Sequence, residues 1–414
     1  MEVSANKDEN RIDRWKARGT RLRRRLQIPV LVLLSSLLLL EGAARLAGEP
    51  PGSMREADDP AALHAQLLIN GWVLNPGLDI DDCADYIENV LDGRTPDNAS
   101  GEVEISPQGF RDTVLATPKP AEQIRILFIG DSSVYGAWIC RLDTLAELLE
   151  RGLNELVGDG LPGGHRKVEV INAGVPGYSS YQSLVELERA MDYGIDGVIV
   201  YSMISDKSGA PRLGDDVWFG RWAPFLRVLS HSAAVRWADY LVTPIVQESR
   251  NKARLASPGR NNRVHLRNYR DNLRRMAEEA HAAGAWIAFV IPPLSLDLEL
   301  TFDRRGGGMG GSVITNARTA REQQGRLERR LEQVDGQDQI GFVIEDYRVA
   351  MALVAWENES VVINGPRVLR RAAVAGGERE IGKPESLMLD GVHPAPKGNQ
   401  ALARELVPRI ADLL

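Results

Sequence analysis

The sequence predicts an α/β fold in which helices cover both faces of a parallel sheet. Short apolar runs recur from residue 124 onward, and segments whose apolar residues have helical spacing lie between them. Such alternation is typical of parallel sheets, because the crossover between two parallel strands is usually a helix. The predicted strands are 124–130, 168–171, 197–201, 286–291 and 342–344, and the predicted helices are 141–157, 181–193 and about 266–284.

The composition is that of a globular protein with a charged leader. The chain has 414 residues, 43% apolar and 26% charged, a size that suits one large domain or two small ones. Residues 1–25 carry nine Lys or Arg and four Asp or Glu, a net charge of +5. Since the whole chain carries −7, the remaining 389 residues carry −12. An acidic body argues against nucleic acid as the partner.

Residues 26–47 are predicted to form an N-terminal transmembrane helix. An apolar run at 28–40 follows the basic leader, and Glu41 and Arg45 can form an ion pair near its far end. Basic residues on the preceding flank favour a cytoplasmic N-terminus and an exported body. A cleaved signal peptide is the main alternative, and a buried helix of the soluble domain is another.

Gly130, Asp131 and Ser132 end the first predicted strand with a tight turn. In an open α/β sheet, ligands bind beyond the carboxyl ends of the strands, beside the start of the following helix. A serine at that point is placed like a nucleophile, and free backbone N–H groups there favour a developing negative charge. A plain turn with a helix cap is the structural alternative.

Asp390 and His393 lie three residues apart near the C-terminus, in the sequence Asp-Gly-Val-His-Pro. In a short loop this spacing lets the carboxylate accept a hydrogen bond from one ring nitrogen, while the other nitrogen faces a serine hydroxyl. Pro394 disfavours a helical conformation for His393, so we expect the imidazole in an extended or turn segment. For this pair taken alone, an ordinary surface loop is the alternative.

Three blocks, in this order along the chain, resemble those of the SGNH (GDSL-type) hydrolase superfamily. They are Gly130–Ser132, Asn172–Gly177 and Asp390–Pro394, and the resemblance extends over roughly residues 108–414. It implies a flavodoxin-like three-layer α/β/α sandwich with a parallel sheet of about five strands.

The resemblance also implies a role for each matching residue. Ser132 would be the nucleophile, His393 its base and Asp390 the acid that orients the imidazole. The backbone N–H groups of Ser132 and Gly177 would form the oxyanion hole. Two further acidic residues, Asp131 and Asp206, are expected to support the site.

One block departs from the superfamily's pattern of Gly-x-Asn-Asp. Here the third predicted strand runs into Met203, Ile204, Ser205 and Asp206, so Ser205 takes the place of the asparagine that would complete the oxyanion hole. A serine hydroxyl can donate one hydrogen bond, but it is shorter than an amide and points differently. Either Ser205 with a water partly substitutes for the asparagine, or another residue does, or the activity is low.

The segment 48–120 is predicted to be a linker and pre-domain segment, which leaves 121–414 as the main domain, with insertions at about 207–263 and 301–385. Residues 109–111, Gly-Phe-Arg, are predicted to be structural: a turn followed by an aromatic anchor. The first insertion is rich in aromatic residues and follows the third strand, so it is predicted to lie at the mouth of the crevice. Its aromatic residues would line a substrate pocket or form a small core of their own.

Cys83 and Cys140 are the two cysteines of the chain. An exported domain would permit a disulfide between them, which would tie the pre-domain segment to the edge of the site. Two buried thiols are the alternative. Neither the cysteines nor the six histidines show metal-ligand spacing, so the sequence implies no metal and no cofactor.

These observations together predict an extracytoplasmic, membrane-anchored serine esterase. The resemblance and the compartment suggest O-acyl esters, chiefly acetyl esters, of a polysaccharide or glycoconjugate as the substrate. A lipid esterase or a sugar O-acetyltransferase on the same fold is the first alternative. A catalytically degenerate protein that binds glycans or acts as a scaffold is the second, favoured by Ser205 and opposed by the intact triad.

Overall fold

The computed structural model describes the N-terminal helical segment and most of the chain beyond residue 102. The described residues are 35–47, 64–65, 73–74, 79–80, 103–112, 114–157, 167–207, 215, 232–234, 237–238, 262–299, 314–335, 342–376 and 386–414. Residues 35–47 are helical, and Nε of Arg45 donates to Glu41 over 2.7 Å, which is the predicted ion pair.

No helix within the described residues is long and apolar enough to cross a bilayer. Residues 26–34 of the predicted transmembrane segment lie outside the described residues. The transmembrane helix therefore stays a prediction.

Five parallel strands form the central sheet. They are β1 (Gln123–Gly130), β2 (Lys167–Gly174), β3 (Gly197–Tyr201), β4 (Trp286–Ile291) and β5 (Val361–Asn364). Their order across the sheet is β2-β1-β3-β4-β5, and every neighbouring pair is parallel. This is the doubly wound order of flavodoxin-like folds, in which a crevice opens where the strand order reverses, between β1 and β3. The predicted α/β class and the sheet of about five strands are confirmed.

Helices cover both faces of the sheet. The longer ones are α1 (Leu145–Val157), α2 (Ser180–Ala190), α3 (Leu266–Ala282), α4 (Ala317–Asp335), α5 (Ile344–Glu357), α6 (Gly365–Gly376) and α7 (Pro396–Ala411). The core of one face holds α2, α3, α4 and α5, and the core of the other holds α1, α6 and α7. Side chains of β1 alternate between the two cores, with Leu127 and Ile129 in the first and Ile126 and Phe128 in the second.

Short elements complete the described chain. Single helical turns lie at Ser132–Tyr135, Arg141–Asp143, Met191–Tyr193, Ile204–Lys207 and Leu296–Glu299. Two antiparallel ladders pair His64–Ala65 with Val73–Leu74 and Asp79–Ile80 with Val103–Glu104.

The predicted fifth strand at 342–344 is wrong. Val343 precedes helix α5, and its backbone N–H donates to the Asp346 carboxylate over 2.9 Å, a contact that fixes a helix start. The fifth strand is the β-branched run at 361–364, which extends the sheet beyond β4. The second insertion, predicted at about 301–385, is therefore too long, because 342–376 supply a strand and two helices of the framework.

The structural prediction for residues 109–111 is confirmed. Gly109 has a φ of 83° in a turn closed by its own N–H donating to the Ser106 carbonyl over 2.8 Å, and Phe110 is fully buried. Arg111 is also buried, and its partners belong to the site described next.

Candidate active site

Ser132 opens the one-turn helix that follows β1. The residue before it, Asp131, caps this helix, because its Oδ1 accepts a hydrogen bond from the Ser133 N–H over 3.0 Å. Gly130 permits the close approach that the turn needs, since a Cβ there would lie 2.1 Å from the Tyr201 carbonyl oxygen on β3. Ser132 thus stands at the carboxyl end of β1, next to the crevice between β1 and β3.

Ser132, His393 and Asp390 form one chain of hydrogen bonds. The Ser132 Oγ lies 2.7 Å from Nε2 of His393, and Nδ1 of His393 lies 2.7 Å from Oδ2 of Asp390. A carboxylate can only accept, so Nδ1 carries the proton and Nε2 is left to accept from the serine hydroxyl. That tautomer is the one that can take a proton from Ser132.

The Asp390 carboxylate also holds its own loop, the histidine loop (residues 388–394). Its Oδ1 accepts from the backbone N–H groups of Val392 at 2.7 Å and of His393 at 2.8 Å. Burial raises the pKa of the Asp390 carboxyl, but the His393 ring and these N–H groups outweigh burial and hold that pKa below its usual value. Asp390 is therefore ionised at neutral pH, as an orienting acid must be.

A buried ion pair, here called the buried brace, lies behind the histidine loop. Arg348 of α5 donates to both carboxylate oxygens of Asp297, over 3.0 and 2.6 Å, and the two side chains are 2% and 3% exposed. Asp297 in turn accepts from the N–H of Leu294, and the N–H of Ser295 donates to the Gly391 carbonyl over 3.1 Å. The brace thus supports the segment on which the histidine loop rests.

Asp131 supports the serine from behind and does not reach the histidine. Its side chain is buried, and burial raises its pKa against the opposing effects of the Ser133 N–H and of His393. Among the described residues, Asp131 Oδ2 and the neighbouring Tyr201 hydroxyl have no hydrogen-bond partner. Capping of the serine helix is the contact that the structure gives to Asp131.

Gly177 lies in a tight turn after β2, here called the oxyanion turn (residues 175–178). The N–H of Tyr178 donates to the Val175 carbonyl over 3.0 Å, and Gly177 has a φ of 79°. Proline at the second position and a positive φ at the third are typical of a type II turn. Gly174, the last residue of β2 before this turn, packs against the helical turn of Ser132, since a Cβ there would lie 2.1 Å from the backbone nitrogen of Tyr135.

Ser205 and Asp206, in the helical turn that follows β3, have side chains in different surroundings. Ser205 is half-buried on the helical turn Ile204–Lys207, at the same sheet edge as Ser132, and its role as an oxyanion donor stays a prediction. Asp206 is fully buried behind the oxyanion turn, where its oxygens accept from the Ser180 N–H at 2.9 and 3.0 Å and from the Ser180 hydroxyl at 2.5 Å. Asp206 therefore fixes the start of α2.

Trp138 borders the site, and sequence analysis did not identify it. Its indole centroid lies 4.4 Å from that of the His393 ring, edge to face, and its backbone has a φ of 67°. Arg111 holds the segment that carries it, with hydrogen bonds to the Tyr135 carbonyl, to the Gly136 carbonyl at 2.7 Å and to the Ile139 carbonyl at 2.8 Å. The one available signal was position, because Trp138 follows Ser132 by six residues.

Cys140, two residues beyond Trp138, is disulfide-bonded. Cys83, its predicted partner, lies outside the described residues. Within the part of the chain that the structure describes, no group of His, Cys, Asp and Glu side chains could hold a metal ion.

No family model and no curated protein matches this chain. Among solved structures, the chain is similar to LAE5, an alpha/beta hydrolase enzyme from the metagenome of Lake Arreo, Spain, at 13% identity and a TM-score of 0.39, over 70% of this chain and 96% of that one. It is similar to Axe2, an acetylxylan esterase from Geobacillus stearothermophilus, at 17% identity and a TM-score of 0.37, over 69% and 94%. It is also similar to TesA, at 15% identity and a TM-score of 0.35, over 70% and 99%. These similarities are too distant to carry a functional argument, so the interpretation rests on the geometry of the site.

Proposed function

We propose that this protein is a serine esterase that cleaves ester bonds through an acyl-enzyme on Ser132. The observation that carries the proposal is the unbroken chain from Asp390 to His393 to Ser132, with 2.7 Å at each of its two hydrogen bonds. An ionised carboxylate behind a histidine that faces a serine hydroxyl is the arrangement that activates serine as a nucleophile.

In the proposed reaction, the Ser132 Oγ attacks the ester carbonyl while Nε2 of His393 takes the hydroxyl proton. The negative charge that develops on the carbonyl oxygen is stabilised by the backbone N–H groups of Ser132 and Gly177, with the Ser205 hydroxyl as a third donor. His393 then gives its proton to the leaving alcohol oxygen, and the ester bond breaks. Water, activated by the same imidazole, hydrolyses the acyl-enzyme and regenerates Ser132.

We propose O-acetyl esters of a polysaccharide or glycoconjugate as the substrate class. Trp138 supports this choice, because a half-buried indole beside His393 offers a flat surface for the ring that carries the ester. A sugar O-acetyltransferase would use the same acyl-enzyme and differ only in the acceptor. A lipid esterase would accept long acyl chains, so chain-length preference separates it from the proposed enzyme.

The proposed location is the outer side of a membrane, with residues 26–47 as the anchor. The basic leader supports this orientation, and the disulfide at Cys140 suits an oxidising compartment. A phosphatase or fluorescent reporter fused after Leu414 tests it. Reporter activity on the cytoplasmic side alone would contradict the proposal.

Hydrolysis of p-nitrophenyl acetate and butyrate by the full chain in detergent tests the esterase proposal. We expect turnover to be lost in Ser132→Ala and kept in Ser183→Ala, a matched control because Ser183 is buried on α2 and its hydroxyl has no partner among the described residues. A fluorophosphonate probe should label the wild type and not Ser132→Ala.

The outcomes separate the candidates. Preference for acetate over butyrate supports an acetyl esterase. Labelling without hydrolysis indicates a transferase that needs its own acceptor. A folded wild type with neither labelling nor turnover would contradict the esterase proposal and favour a binding protein.

A further inference from the structure

Arg263 forms hydrogen bonds to the oxyanion turn and to helix α2. Its Nη1 donates to the carbonyl oxygen of Gly177, and its Nη2 donates to Oε1 of Gln182 on α2 over 2.6 Å. Its Nε forms an ion pair with Oδ2 of Asp215 at 2.6 Å. The planar guanidinium therefore fixes the turn, the first turn of α2 and a carboxylate relative to one another.

Asp215 ties the same guanidinium to the cap of α2. The Ser179 hydroxyl donates to Asp215 Oδ2 over 2.8 Å, and the Ser179 N–H donates to Gln182 Oε1 over 3.1 Å. The side chains of Arg263 and Asp215 are 15% and 13% exposed, so water and salt screen their attraction only in part. We call this pair the clamp.

The two residues of the clamp lie near opposite ends of the first predicted insertion, 207–263, with Asp215 near its start and Arg263 at its end. Those ends meet in backbone hydrogen bonds, from Asp215 N–H to the Arg263 carbonyl at 2.9 Å and from Val264 N–H to the Asp206 carbonyl at 3.0 Å. The base of the insertion is thus closed directly beside the oxyanion turn, and it supplies contacts that the short blocks resembling the superfamily do not contain.

We propose that Arg263, held by Asp215, is a positioning residue of the oxyanion hole. Glycine has wide backbone freedom, so the Gly177 N–H keeps one direction only if the peptide groups around it are held. The hydrogen bond from Arg263 holds the carbonyl of the same residue and thereby restricts the rotation of the turn. The inference rests on the proposed function, because only a developing oxyanion makes this direction matter for the rate.

The substitution at Ser205 increases the dependence on the clamp. Where the superfamily has an asparagine amide, this chain has a shorter hydroxyl, so the two backbone N–H groups carry more of the stabilisation. Donors lower a reaction barrier most when they are already aimed at the position that the oxyanion will occupy. A clamp that keeps Gly177 in place has this effect without touching the substrate.

Steady-state kinetics of Arg263→Met on p-nitrophenyl acetate tests the proposal. Loss of a complete oxyanion donor costs about 10²–10³-fold in kcat, and we expect a misaimed one to cost about 10–100-fold, with KM changed less than about threefold. Arg263→Lys keeps the positive charge but lacks the planar set of guanidinium donors. Its kcat should fall between those of the wild type and of Arg263→Met. Arg275→Met, which removes an exposed arginine of α3 paired with Glu188, is the matched control and should keep the wild-type kcat.

Chemical rescue separates positioning from a merely structural role. Millimolar guanidinium should raise the kcat of Arg263→Ala several-fold and leave the wild type unchanged, because the ion can occupy the vacated site. A folded Arg263→Met with kcat within twofold of the wild type would overturn the proposal, as would a change confined to KM. If Arg263→Met does not fold, the kcat of Asp215→Asn is measured instead, and an unchanged kcat in that variant would overturn the proposal. A wild type without turnover would refute the esterase proposal itself and this one with it.

Discussion

Two arginine–aspartate pairs hold the two sides of the site, and they differ in depth and in what they hold. The buried brace, Arg348–Asp297, is 2% and 3% exposed and joins α5 to the segment after β4. The clamp, Arg263–Asp215, is 15% and 13% exposed and joins the base of an insertion to a turn. The core therefore fixes the side that carries the histidine, whereas a peripheral segment fixes the side that would bind the oxyanion.

This difference predicts different consequences when each pair is broken. A charge left unpaired in the interior keeps its full desolvation cost, so breaking the buried brace should mainly lower stability. A charge near the surface can be solvated again, so breaking the clamp should mainly disturb local geometry. The two sides of the site can thus be separated by measuring stability and rate on the same variants.

The largest effect is expected on the histidine side, from Asp390→Asn. An amide in place of the carboxylate favours the wrong tautomer of His393, and in serine enzymes such a change costs about 10⁴-fold in kcat. Stability should change little, because an amide can still accept from the N–H groups of the loop. Steady-state kinetics beside Asp192→Asn, an exposed control, measures the effect, and a kcat within tenfold of the wild type would remove Asp390 from the mechanism.

Breaking the buried brace should lower the free energy of unfolding more than breaking the clamp does. Arg348→Met leaves Asp297 buried and unpaired, and loss of one partner of such a pair costs about 3–5 kcal/mol in the free energy of unfolding. Denaturant unfolding of Arg348→Met beside Arg263→Met provides the comparison. If the two variants lose equal stability, the distinction between the brace and the clamp is wrong.

A pH dependence of stability should arise from Asp206, next to the clamp. Burial raises its pKa to about 7, and the Ser180 hydrogen bonds and Arg263 oppose that shift only in part. The folded state therefore binds this proton more tightly than the unfolded state between about pH 4 and 7, so this residue's contribution to stability decreases as pH rises through that window and levels off above it. Melting temperatures at pH 5 and 7.5 should show a smaller decrease in Asp206→Asn than in the wild type; equal decreases would contradict the shift.

Substitutions at Ser205 test whether its hydroxyl acts as a third donor to the oxyanion. Its hydroxyl is the weakest of the three proposed donors, so Ser205→Ala should lower kcat about tenfold, less than the loss of an amide donor. Ser205→Asn, which introduces the asparagine of the superfamily's Gly-x-Asn-Asp pattern, should match or exceed the wild-type kcat. An unchanged kcat in Ser205→Ala would show that the backbone donors act without it.

The histidine side could be predicted from the sequence because each of its parts lies in a recognisable local pattern. Asp390 and His393 belong to one short loop, and Ser132 follows directly from a buried strand. The resemblance of these blocks to one superfamily then paired the serine with the histidine across 261 positions. Four of the five strands were also evident as apolar runs. The fifth was misplaced because 342–344 and 361–363 are both runs of three apolar residues, and so short a run does not distinguish a strand from a helix start.

The oxyanion side could not be predicted in the same way, because no local pattern or family block marks its contacts. Arg263 lies 86 positions beyond Gly177, and nothing in the residues around either one indicates the other. Periodicity identifies the elements of a sheet and its helices, but not the partner of a single charged side chain. Trp138 is a similar case, since the segment that carries it is held by hydrogen bonds from Arg111, which nothing in the residues around Trp138 indicates.

Trp138 also gives the smallest predicted effect and the sharpest test of substrate class. A non-glycine residue at a φ of 67° carries strain of about 1–3 kcal/mol, which Trp138→Gly relieves while it removes the packing against His393. These changes oppose each other, so the free energy of unfolding should change little. An aromatic contact with a sugar ring is worth about 1 kcal/mol, so kcat/KM on an acetylated oligosaccharide should decrease about fivefold, with p-nitrophenyl acetate less affected. Trp356→Ala, at an exposed tryptophan, is the control, and an equal decrease on both esters would show that Trp138 supports the histidine and not the sugar.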